Sequence, residues 1–138
     1  MGMYTELYIS AQVKPEGRHK EAFLRLFTQE NTEHALQDYA DLHEAFTLSR
    51  IQFGMIPAGC SHYFLPMSTH KCEWNKISEA YSLTFRCDLK NYENEIETFL
   101  DWLMPMIDAY EGEHIGHMRY EEADEPTLLY KVATSGLK

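Results

Sequence analysis

Long apolar runs are missing from this 138-residue chain. No stretch approaches the ~20 consecutive apolar residues that a membrane-crossing helix needs, so a helical membrane span is excluded. The opening residues lack a basic region followed by an apolar one, and no secretory leader is expected. Gly2 is followed by Glu6 where a myristoylation site wants Ser or Thr. Cysteine is scarce: Cys60, Cys72 and Cys87 are an odd number without framework spacing, which fits reduced thiols and a cytoplasmic location. Basic residues are also short, 12 against 22 acidic ones, for a net charge of −10. Direct binding to nucleic acid needs a basic footprint and is therefore not expected. Gly-rich phosphate loops, HExxH and GxSxG are absent, so no cofactor is implied and the balance leans away from an enzyme.

What remains is the composition of an ordinary folded domain, 44% hydrophobic and 25% charged. A chain of this length buries about two-thirds of its unfolded surface, enough for a single domain over residues 1–138 without a metal or disulfide. The negative charge is concentrated. Residues 88–125 hold twelve acidic side chains against two basic ones, while residues 126–138 hold two basic and no acidic ones.

Residues 91–110 form the longest stretch with a helical period. Tyr92, Ile96, Phe99, Leu100, Leu103, Met106, Ile107 and Tyr110 fall on one arc at 100° per residue, the spacing of a buried face. Asn91 suits the N-cap, and Gly112 suits a left-handed residue past the end. Pro105 deletes the bond to the Asp101 carbonyl, so a kink or an early end to the regular part is expected there. Glu93, Glu97, Asp101, Asp108 and Glu111 make an acidic strip with no Lys or Arg at i+4. Trp102 lies behind the arc. Either another segment of the chain covers it, as for most tryptophans, or it is an anchor for a partner.

Elsewhere the period is two. Residues 4–14 alternate, with Thr5, Leu7, Ile9, Ala11 and Val13 on the drier side. Residues 79–87 alternate with Tyr81, Leu83, Phe85 and Cys87 inward, and residues 115–122 and 127–132 read as two further strands. A short helix is predicted at 19–27, short extended pieces at 60–65 and 70–74, and an ambiguous helical insert at 32–46. Together these predict an α+β fold: an antiparallel, ferredoxin-like sheet with two main helices on one face and an extra C-terminal strand.

Three sets of residues are candidates for function. The first is an interaction surface made of Trp102, Glu93, Glu97, Asp101 and Asp108, for a protein partner or a second copy of the chain. As a special case the acidic strip could imitate nucleic acid toward a basic protein. The second is a polar cleft on the sheet with Trp74, His117, Arg119 and Glu121, as in a small-molecule-binding protein or an enzyme. The third is Cys60, His62, His70 and Cys72, whose donor types suit tetrahedral zinc but whose spacing is not one of the usual forms. The leading expectation is a small acidic interaction module, possibly a homodimer.

Overall fold

The computed structural model describes residues 4–28, 36–61 and 67–132. Strand β1 (Thr5–Val13) lies at the centre of a five-stranded sheet. It pairs with β3 (Ala80–Leu89) from Thr5↔Leu89 to Val13↔Tyr81 and, on its other side, with β4 (His114–Tyr120) from Thr5↔Tyr120 to Ile9↔Gly116. Strand β2 (Thr69–Asn75) pairs with β3, and β5 (Thr127–Tyr130) pairs with β4. Every pairing is antiparallel, and the order across the sheet is β2-β3-β1-β4-β5. The fold is α+β.

Alternation along the strands sends one set of side chains into a common core. Leu7, Ile9 and Val13 of β1 join Leu83, Phe85, Cys87 and Leu89 of β3. Helix α1 (Gly17–Phe27) adds Ala22, Phe23, Leu26 and Phe27, a stripe repeating at helical spacing. Helix α4 (Glu95–Leu103) adds Ile96, Phe99, Leu100 and Leu103. The Phe85 ring sits 5.5 Å from Phe27 and 6.1 Å from Phe99, so both helices reach the same strand residue.

The helix predicted over 91–110 is shorter than its apolar period. Regular structure runs from Glu95 to Leu103 and tightens into a 3-10 turn at Met104–Met106, where Pro105 cannot donate. Ile107 is already extended and bridges to Val13. The cap position is Asn94, in the left-handed region at φ 60°. Asn91 caps from outside: its Oδ1 accepts from the Ile96 N–H at 2.8 Å and its Nδ2 donates to Glu97 at 2.9 Å. Tyr92 and Tyr110 therefore leave the arc and are 60% and 86% exposed.

The insert is a chain of single turns. Residues 32–35 lie outside the described part; Leu36–Tyr39 and Glu44–Thr47 are 3-10 turns, followed by the helical turns α2 (Ser49–Gln52) and α3 (Met55–Ala58). Interruptions are local. Extended His43 turns its Nδ1 to accept from the Ala45 N–H at 3.0 Å, and Gly54 takes φ 82° between α2 and α3. Each turn still contributes to the core through Leu36, Tyr39, Phe46, Ile51 and Ile56. Most of the extended piece predicted at 60–65, and the chain beyond Val132, fall outside the described residues. Among the described residues no helix is long and apolar enough to cross a membrane.

Candidate functional site

Trp102 is sealed by its own chain. It is 3% exposed, its ring lies 4.9 Å from Phe46 edge-to-face and 5.9 Å from Phe99, and its Nε1 donates to His19 Nδ1 at 3.1 Å. The insert supplies the lid, because the 3-10 turn that carries Phe46 lies over the back of α4. An exposed anchor at this position is corrected: the side chain behind the helical arc is a second buried face.

The acidic strip is exposed at Glu93, Glu97, Asp101, Asp108 and Glu111. Partners missing at i+4 come from other elements. His43 Nε2 lies 2.8 Å from Asp101, and Lys14 Nζ lies 3.5 Å from Asp108. Glu95, in the first turn of the same helix, is buried, pairs with Arg50 and accepts from the Glu93 N–H at 3.1 Å.

The four cleft residues do not assemble. Register puts Trp74 beside Tyr81, whose ring lies 5.4 Å from Phe23, so Trp74 is on the helix side of an edge strand. His117 is on the opposite face, paired with Tyr8 of β1. Arg119 donates to the Ala123 carbonyl at 3.1 Å, and Glu121 accepts from the Tyr4 N–H at 2.8 Å, so both tie down the turn after β4. Side chains on β2 and β4, which have two strands between them, share a face only if the successive registers allow it.

A charged group missed by periodicity sits on that open face. Glu6, 5% exposed on the central strand, is bonded by Arg86 from β3 and lies 3.2 Å from His117 Nε2 on β4, with the Tyr8 ring stacked 5.4 Å from His117. Next to Glu6 across the ladder is Asp88, fully buried, which accepts from the Ser61 hydroxyl at 2.8 Å through Oδ2 while Oδ1 has no partner among the described residues. Burial pushes the Asp88 carboxyl above its usual range; the Ser61 bond works against this and the charges of Glu6 and Glu121 add to it. Burial likewise pushes the Cys87 thiol upward in the core, which disfavours its thiolate.

Of the four zinc candidates, His62 lies outside the described residues. Cys72 packs partly against the core while His70, its strand neighbour, is exposed. Among the described residues no group of three or more His, Cys, Asp or Glu side chains is placed to hold a metal ion.

Two surface features stand out. One is an open groove of about 440 Å³. Register between β1 and β4 stops at Ile9↔Gly116, and pairing on that side of β1 resumes where the Gln12 carbonyl accepts from the Asp108 N–H at 2.7 Å beside the Val13–Ile107 bridge, so among the described residues Ser10 and Ala11 have no neighbouring strand there. The gap is floored by Ser10, Gln12, Ser82 and Thr84 and walled by Asp108, Glu113 and Ile115. The other is the outer edge of β5. This edge carries no charge from Thr127 to Tyr130 and leaves Leu128 and Tyr130 48% and 45% exposed. The opposite edge strand, β2, carries exposed Lys71 and Glu73, 3.8 Å apart. The chain matches no protein-family model, no curated protein and no solved structure.

Proposed function

We propose that this protein is a non-enzymatic interaction module that associates with a second copy of itself along the outer edge of β5. The observation that carries the reading is the difference between the two sheet edges. Exposed edges present unpaired N–H and C=O groups and are normally blunted by charged side chains. β2 has such charges, and β5 has exposed Leu128 and Tyr130 instead. Antiparallel pairing of β5 with β5 of a second copy is isologous and extends the sheet across a two-fold axis. We read the strand order as a ferredoxin-like arrangement with β5 added at one edge, and in this reading the added strand would form the contact.

Light scattering across a concentration series tests the reading. Each copy carries −10, so association must overcome repulsion and is strengthened by salt. The chain is expected to dimerise, and Leu128→Lys with Tyr130→Lys to remain monomeric with an unchanged melting temperature. A wild-type monomer at every concentration and salt level overturns it.

A second reading rests on a different observation, the exposure of Glu93, Glu97, Asp101 and Asp108. In this reading the acidic surface binds a basic protein, as an imitation of nucleic acid does. Salt discriminates the two, because it weakens binding to a basic partner and strengthens self-association of like-charged copies.

A further inference from the structure

We propose that the gap between β1 and β4 is a binding site for a small hydroxylated cation, of the class of an amino sugar or amino alcohol. This inference is independent of the β5 edge. The sheet opens where β1 loses its β4 neighbour after Ile9, until the Gln12 carbonyl accepts from the Asp108 N–H beside the Val13–Ile107 bridge. Into the resulting groove of about 440 Å³ the open face projects Ser10, Gln12, Ser82 and Thr84, successive same-face residues of two paired strands. Their hydroxyl and amide groups both donate and accept, which suits a ligand rich in hydroxyls. Ser10 and Thr84 already lie 3.3 Å apart, so their hydroxyls can share one ligand group.

Charge selects the class. Asp108 and Glu113 line the wall, and among the described residues no lysine or arginine lines the groove, so its charge favours a cation over an anion. Lys14 reaches Asp108 from outside at 3.5 Å, with both side chains about half exposed (49% and 50%). Such surface pairs contribute little, so a ligand ammonium can take the place of Lys14 at small cost. Glu113 keeps one oxygen on the Tyr110 N–H at 3.1 Å, which fixes the carboxylate at the rim. Volume agrees, being within the range of ~300–1,000 Å³ typical of small-molecule sites.

Backbone amide shifts in a titration with glucosamine, and with glucose as its neutral twin, test the proposal. Glucosamine is expected to move the amides of Ser10, Gln12, Ser82 and Thr84, with glucose at least about tenfold weaker, the scale of one charge-assisted contact. Glu113→Gln and Asp108→Asn are each expected to weaken glucosamine about tenfold on the same grounds, while Glu125→Gln, outside the groove, leaves it unchanged. Melting temperatures of the variants establish that they fold, and Thr84→Val repeats the test without altering charge. Absence of groove shifts with glucosamine, or an affinity unaltered by Glu113→Gln, overturns the proposal.

Discussion

Replacing Trp102 with alanine removes the side chain that joins the insert to α4. The indole is 3% exposed, contacts Phe46 and Phe99, and donates to His19. Truncating a buried tryptophan costs about 3–5 kcal/mol through lost transfer energy and the cavity left behind. Loss of the hydrogen bond adds little, because half-buried His19 can rehydrate its nitrogen. A domain of this length has an unfolding entropy of roughly 0.3 kcal/mol/K, so a loss of about 4 kcal/mol lowers the melting temperature by about 14 °C. Trp102→Phe keeps a ring against Phe46 and is expected to cost about 1–2 kcal/mol, or roughly 3–7 °C. Thermal unfolding by circular dichroism measures both. Trp74 is half exposed, so fluorescence is read in a Trp74→Phe background, where Trp102 should emit in the blue and resist acrylamide quenching. A melting temperature within about 3 °C of wild type for Trp102→Ala would refute the burial argument. Loss of association at unchanged stability would restore the indole to a contact surface.

Gly116→Ala should be among the most destabilising small changes in the sheet. An added Cβ would lie 2.0 Å from the Tyr8 carbonyl oxygen and 3.0 Å from the Ile9 Cα, both backbone atoms of the central strand. The strands must separate, at a cost of about 3 kcal/mol or more, and denaturant titration should show a lowered midpoint. Asp88→Asn is expected to stabilise the fold at neutral pH, since the folded carboxyl is held above its ordinary 3.8 by burial. The native state then binds the proton more tightly than the unfolded chain, so wild-type stability from this group rises as pH falls through the raised value toward 3.8. The advantage of the variant should therefore shrink on acidification; a variant less stable than wild type at pH 7, by the same margin at pH 5, contradicts the sign.

Local pattern determined much of this architecture. Alternation at residues 4–14 and 79–87 follows from the two-residue repeat of a strand, and the inward sets Leu7, Ile9, Val13 and Leu83, Phe85, Cys87 are buried as that repeat requires. The early end of the regular helix at Pro105 was legible because a missing N–H is a property of one residue. The extent of the arc was not: Tyr92 and Tyr110 keep the spacing of a helix that the left-handed residue Asn94 and the break at Pro105 never allow to reach them.

What only the tertiary structure decided is what lies opposite what. Trp102 is buried because the single turns of the insert fold over α4, and residues so far apart in sequence leave no periodic trace of each other. Trp74 and His117 fall on opposite faces because the pairings β2–β3, β3–β1 and β1–β4 fix which side each presents. Glu6 belongs to an alternating polar set by sequence; its burial depends on Arg86 and His117 arriving from two other strands. The groove comes from the interval in which β1 loses its β4 neighbour, a property of the register between strands and of no residue by itself.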